Sequence, residues 1–182
     1  TYNRPHWLGQ AIGSVVRQEL EEWELLVIND GGCDVEDIVR TVADQRVRYI
    51  NRPRNSGKAA CLNLGLRQAR GRYDAYLDDD DVWYPNHLRL LVEALEGEPS
   101  CWAAYSDLYR VSCLVGPDGR RYPVDKHVDV CRDYNRLFMF HFNHVLHVSL
   151  MHRREAASTS SRVPRSMTSV VCRLPFRTRR CP

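Results

Sequence analysis

The sequence predicts an α/β domain with a mostly parallel sheet flanked by helices, incomplete and followed by an irregular C-terminal tail. Three observations carry this. Short apolar runs alternate with segments whose apolar residues recur at helical spacing. Each run stops at polar turn residues, as strands feeding crossover helices do. The 182 residues, 43% of them hydrophobic, suffice for one ordinary core.

Taken in order, Leu8, Ile12, Val15 and Val16 form the stripe of a first helix running to about Glu19. Trp23 to Ile28 is a buried strand that stops at Asn29-Asp30-Gly31-Gly32. Asp34 caps a second helix with Val35, Ile38, Val39 and Val42 inward, and Val47 to Ile50 is the next strand. Asn55-Ser56-Gly57 announces a helix with Ala59, Leu62, Leu66 and Ala69 on one face, ending at Gly71. Tyr73 to Leu77 is a strand running into Asp78-Asp79-Asp80-Asp81, and Pro85 opens a helix to Gly97. Cys101 to Val111 is a further strand and Gly116-Pro117-Asp118-Gly119 a hairpin turn.

Right-handed crossovers place every loop that follows a strand on one edge of such a sheet, where ligands bind. Thr1 to Pro5, Asp30 to Asp34, Asn51 to Lys58 and Asp78 to Asp81 therefore converge on one crevice.

Composition removes several function classes. No apolar run approaches the roughly 20 residues of a membrane span. The net charge of +3 conceals an asymmetry: residues 153–182 hold eight arginines against one acid, while the other 152 residues are mildly acidic. Attraction for nucleic acid is confined to that tail, and no zinc-finger spacing or RNA-binding aromatic motif accompanies it. Nucleic acid is thus not an expected partner. The seven cysteines are odd in number without a CxxC pair, which fits reduced thiols in a cytosolic compartment. The start at Thr1 shows no leader and looks cut.

Four adjacent carboxylates at a strand end repel one another and call for a cation. Hard oxygen ligands suit Mg²⁺ or Mn²⁺, the former commonly taking one or two carboxylates plus substrate phosphates. Asn55-Ser56-Gly57-Lys58 is not a Walker motif, since Arg52 stands where glycine is required and no Ser or Thr follows Lys58. It offers a helix N-terminus plus a charge for an anion, or a plain cap. Asp30 is placed to accept from a base or ribose, or to serve only the turn; Tyr2 is a base-stacking or packing ring. His141, His144 and His147 alternate with apolar residues as on a strand, which with His152 reads as structural or acceptor-facing rather than as a zinc site.

The blocks Thr1-Tyr2-Asn3-Arg4-Pro5, Val27-Ile28-Asn29-Asp30-Gly31-Gly32-Cys33-Asp34, Asn55 to Leu66 and Tyr76 to Pro85 together resemble the family 2 glycosyltransferases, which have the Rossmann-like GT-A fold. The resemblance covers about residues 1–152, the nucleotide-sugar-binding domain, and leaves 153–182 as a basic tail. It implies a nucleotide-diphospho-sugar donor (UDP-, GDP- or dTDP-linked) and Mg²⁺ or Mn²⁺. Transfer would go with inversion to a saccharide, lipid-linked or protein hydroxyl. By the same resemblance Tyr2 stacks on the base and Asp30 bonds it. Asp78 and Asp80 form the DxD motif, Asp80 on the metal and Asp78 also near the sugar. Thr1, Arg4, Asn55, Gly57, Lys58 and Asp79 complete the donor site. The implied location is cytoplasmic, with peripheral association at the inner face of the membrane as the variant.

Two family elements are not found. An apolar strand should lead into Thr1, and a carboxylate-bearing stretch should follow Arg154, where Ala156 to Ser161 stand instead. The catalytic residue is therefore unknown and the general base absent from the pattern. The tail reads as disordered or as the product of a reading-frame change. Two rivals stand beside this reading: a non-catalytic nucleotide-sugar-binding module, and a nucleotidyltransferase on a similar sheet.

Overall fold

A computed structural model describes residues 1–129, 133–139, 141–143, 145–154 and 170–174. The first half alternates as expected: α1 (Pro5–Val16), β1 (Leu25–Asn29), α2 (Glu36–Thr41), β2 (Val47–Asn51), α3 (Lys58–Gln68), β3 (Tyr73–Ala75) and α4 (His87–Gly97). Then follow β4 (Cys101–Ser106), β5 (Leu108–Val115), β6 (Arg121–Asp129), the single turn α5 (Arg136–Met139), β7 (Leu150–Arg153) and β8 (Val170–Leu174).

The architecture is α/β, with strands pairing in both senses. β1 and β2 are parallel, from Leu25 opposite Val47 to Asn29 opposite Asn51. A separate four-stranded sheet has the order β3-β7-β4-β8. In it β7 runs antiparallel to both β3 and β4, and β8 lies parallel to β4. β5 and β6 form an antiparallel ribbon closed by the Gly116–Gly119 turn, where Gly119 N–H donates to Gly116 C=O at 2.9 Å.

Two cores hold these layers. The α1 stripe predicted from spacing buries Leu8 and Ile12 against Val27 of β1, Val35 at the cap of α2 and Val39 within α2. The face of α4 buries Leu88, Leu91 and Leu95 against Cys101, Ala104 and Met151 of the larger sheet. No residue of α3 is fully buried, and its stripe of Ala59, Leu62, Leu66 and Ala69 is less apolar than those of α1 and α4.

Three expectations are corrected. The run predicted as one strand from Cys101 to Val111 breaks at buried Asp107, where β4 ends in the sheet and β5 leaves it for the ribbon. The histidine run is not a strand in its described part: residues 147–149 form a 3-10 turn and β7 starts at Leu150. Its side chains at 147 and 152 turn to Tyr76 instead. Cys101 is disulfide-bonded, against the expectation of reduced thiols throughout. His144 and most of the tail lie outside the described residues, and β8 is the tail segment that pairs with the fold.

The loop after β3 is fastened by α1. Gln18, buried at the end of that helix, donates to Tyr84 C=O at 2.7 Å and accepts from Leu88 N–H at 2.9 Å. It thus does for α4 what Asn86 at the cap position does not, satisfying an orphan N–H of the first turn. Trp83 N–H donates to Ser14 Oγ at 3.2 Å.

Candidate functional site

The first floor of the site is the loop after β1. Asn29 is fully buried and its amide donates to Cys33 C=O at 2.9 Å and Asn51 Oδ1 at 3.1 Å, tying the ends of β1 and β2 together. Gly31 takes φ +75°, and a Cβ there would lie 2.4 Å from the Arg54 backbone. Backbone cannot swing aside as a side-chain tip can, so Gly31→Ala should destabilise by roughly 1–3 kcal/mol, read from the urea midpoint. An unchanged midpoint would contradict this packing.

Asp30, 5% exposed, spends its carboxylate inward. It accepts from Arg52 Nη1 at 2.9 Å, Ser56 N–H at 3.0 Å and Gly57 N–H at 2.8 Å. Burial works to raise its pKa, but the Ser56, Cys61 and Gly57 hydrogen bonds with Arg52 outweigh this and hold it below the usual range. Asp30 therefore carries the Asn55–Lys58 loop, while spare acceptor capacity remains for a ligand. Asn55 Oδ1 accepts from Gly57 N–H at 3.1 Å, and Gly57, at φ +85°, starts α3.

Thr1 and Tyr2 form the rim. The Thr1 amino group donates to Ile28 C=O at 2.7 Å and Tyr2 is 48% exposed. Asn3 at φ 55° accepts from Cys33 N–H at 2.8 Å, which binds the rim to the Asp30 loop.

Opposite lies the acidic loop. Carboxylate oxygens of Asp78, Asp80 and Asp81 lie within 4.8 Å of one another. Burial first, then the charges of Asp80 and Asp78, push the Asp81 carboxyl up. Two cations already lean on this cluster: Lys58 Nζ is 2.6 Å from Asp78, and Arg4 Nη1 is 2.8 Å from Asp80 and 3.3 Å from Asp79. Arg121, from the ribbon, donates to Asp80 C=O at 2.6 Å. An all-oxygen, triply acidic donor set is what a hard divalent cation such as Mg²⁺ or Mn²⁺ takes.

Beneath the loop, His147 stacks on Tyr76 with centroids 4.1 Å apart, and Tyr76 Oη meets His152 Nε2 at 2.6 Å. Burial, then the charge of Asp74, pushes the Tyr76 hydroxyl up to about 12. Burial, then Lys58, lowers the His147 imidazole.

All ten residues expected at the donor site, Thr1, Tyr2, Arg4, Asp30, Asn55, Gly57, Lys58, Asp78, Asp79 and Asp80, line one cavity of about 1080 Å³. Asp79 stands apart from the acidic trio and faces Arg4; Asp81 takes the third place in the cluster. Tyr76 lines the cavity and opens the block that runs into the acidic loop, while His147 and His152, which meet Tyr76, and Arg121, which meets Asp80, come from distant segments that only tertiary structure brings there.

Residues 1–153 match the family profile described as "Glycosyl transferase family 2". The chain belongs to that family. Among relatives, the uncharacterized glycosyltransferase YwdF of Bacillus subtilis is 32% identical over 126 residues, covering 69% of this chain and 46% of its own. A second is the Escherichia coli UDP-Glc:alpha-D-GlcNAc-diphosphoundecaprenol beta-1,3-glucosyltransferase WfgD. It is 33% identical over 96 residues, 52% of this chain and 38% of its own. The chain spans half or less of the length of these family 2 relatives. Among solved structures, Staphylococcus aureus TarS residues 1–349 superposes with TM-score 0.65 at 17% identity, covering 88% of this chain and 47% of that one. The Pyrobaculum calidifontis mannosyltransferase in complex with GDP-Man and Mn²⁺ gives 0.52 at 23%, covering 65% and 34%. These likenesses establish the GT-A fold of this chain.

Proposed function

We propose that this glycosyltransferase binds a nucleotide-diphospho-sugar through a divalent cation held at Asp78 and Asp80, with Asp81 beside them, and transfers the sugar with inversion. The observation that carries the proposal is that Asp78 and Asp80, two of the three clustered carboxylates, line the same cavity as Tyr2 and Asp30. A Mn²⁺ and GDP-Man complex in one structural neighbour and a UDP-GlcNAc complex in another support the donor class. The named activity of WfgD supports a lipid-linked acceptor.

Mg²⁺ or Mn²⁺, when bound, would neutralise charge on the departing diphosphate. The protein's own part is a change of partners. Lys58 and Arg4 neutralise the acidic loop in the free protein. Asp78 and Asp80 would hold the cation, and Lys58 and Arg4 would then be free to face phosphate oxygens beside the α3 N-terminus that Gly57 opens. The Asp30-anchored loop holds that N-terminus in place, and the half-exposed Tyr2 ring offers the base a stacking face. The acceptor hydroxyl then loses its proton to a base, a role assigned to no described residue, as its oxygen bonds to the anomeric carbon and the bond from that carbon to the diphosphate oxygen breaks.

Titrating UDP, GDP and dTDP with and without Mn²⁺ while following thermal unfolding tests this. One nucleotide should stabilise only with metal, by about 2.7 kcal/mol at 100 times its Kd. Asp78→Asn with Asp80→Asn should weaken metal-dependent binding by at least about tenfold, roughly one lost charge-assisted contact. Nucleotide affinity indifferent to both metal and substitution would sink the proposal.

A further inference from the structure

The ribbon of β5 and β6 carries two cations to the acidic loop. Arg121 Nη1 donates to Asp80 C=O at 2.6 Å, and Lys126 Nζ donates to Tyr84 Oη at 2.7 Å. Both partners stand on the segment between β3 and α4. The Arg121 guanidinium also lies over the Trp7 ring, 5.0 Å from its centroid, and so ties the ribbon to α1 as well. Lys126 Nζ is likewise 4.1 Å from the Tyr109 centroid.

Alternation along β6 does not by itself produce this. Arg121 and Lys126 are five positions apart, and in a regular strand residues an odd number apart point to opposite faces. The ladder slips between them: Ser112 pairs with Asp125 and Cys113 with Pro123, which makes Val124 an extra residue. A bulge of this kind shifts the pleat by one, so Arg121 and Lys126 share a face. Pro123, with no N–H to give a ladder, is tolerated at such a place.

Arg121 differs in kind from the other cations at the loop. Lys58 and Arg4 are paired with carboxylate oxygens of Asp78 and Asp80, which a metal ion would take from them. Arg121 holds a main-chain carbonyl instead, and the Asp80 carboxylate keeps its oxygens for other partners. The turn is closed within the loop by Asp81 N–H, which donates to Asp78 C=O at 3.1 Å. With both bonds made, the residues that bear the clustered carboxylates sit on one fixed stretch of backbone.

We infer that Arg121 is a positioning residue: by holding the Asp80 carbonyl from the ribbon it sets the direction of the Asp80 carboxylate and, through it, the affinity of the loop for a divalent cation. This rests on the metal-assisted donor site proposed above. The sign of the effect separates two roles. A bare positive charge beside three carboxylates repels an arriving cation, so removing it would tighten metal binding. A positioning bond does the reverse, because ligands already held in place lose little freedom when the ion binds, and removing the bond weakens binding.

Arg121→Met keeps an apolar stem against Trp7 and removes both charge and donor, whereas Arg121→Lys keeps the charge and a donor. Mn²⁺ is titrated into the wild type and both variants, alone and with UDP, GDP or dTDP, and the electron paramagnetic resonance signal of the free ion is the readout. Arg121→Met should weaken Mn²⁺ binding by at least about fivefold, the size of one net hydrogen bond, and Arg121→Lys should recover most of it. In the metal-free chain, hydrogen exchange at the Asp81 amide should quicken in Arg121→Met by a similar factor. Unchanged or tighter Mn²⁺ binding by Arg121→Met overturns the inference, even with faster exchange, because Arg121 is then a strut of the fold alone and the donor site stands without it. A wild type that takes up no Mn²⁺ under any of these conditions overturns the donor site itself, and this inference with it.

Discussion

Asp30→Ala is expected to lower stability by about 2–4 kcal/mol, the size set by leaving a nearly buried cation and the Ser56 N–H without their carboxylate acceptor while Gly57 N–H keeps only Asn55 Oδ1. The donors are Arg52, whose side chain is 20% exposed, and the N–H groups of Ser56 and Gly57. Water reaches the guanidinium in part, which keeps the loss below that of a fully sealed ion pair. Asp30→Asn separates charge from shape: it keeps the volume but sets an amide against donors, so it should cost nearly as much. Its folded carboxyl titrates below the ordinary 3.8, so the contribution stands above that pH and is lost as pH falls through the lowered value. Denaturant midpoints at pH 7 check the first statement. A loss under about 1 kcal/mol would mean that the Asn55–Lys58 loop is not held by this carboxylate.

What was legible in the chain follows from which forces are local. The stripe of α1 and the apolar face of α4 are written at helical spacing, and both are buried as that spacing requires. The site loops were legible because a strand followed by a crossover leaves its loop on a known edge, so Tyr2, Asp30, Gly57 and Asp78 reach one cavity without any contact being read. Long-range partners were not. Gln18 capping α4, Arg121 reaching Asp80 from the ribbon, and β7 entering between β3 and β4 depend on pairings across many tens of residues that no local period encodes. The break at Asp107 was missed for the same reason: apolar and β-branched residues run on either side of it, and only the change of partner strand divides β4 from β5.

His87 is expected to contribute to the acid sensitivity of the fold. It is the first residue of α4, stacked on Trp83 with centroids 4.8 Å apart, and its Nε2 is sealed from solvent. Burial pushes its pKa from 6.5 down to about 4, and a helix N-terminus is in any case a poor seat for a cation. The unfolded chain thus takes up a proton near pH 6.5 that the folded protein refuses until about pH 4. Stability from this group is full above 6.5, falls as pH drops through that window, and flattens below about 4. At 1.36 kcal/mol per unit the loss approaches about 3 kcal/mol. Asp74 and Asp81, whose carboxyls are pushed up, work in the opposite direction: they favour the folded state at low pH and cost stability as they ionise on the way up. The informative quantity is therefore the difference between the wild type and His87→Phe, which keeps a ring against Trp83 and removes only the titration. The two should differ little in pH dependence above pH 7, and the variant should gain about 2–3 kcal/mol relative to the wild type between pH 6.5 and pH 4. Urea melts at half-unit steps would show it; a difference that stays constant across that range would place the acid sensitivity elsewhere in the fold.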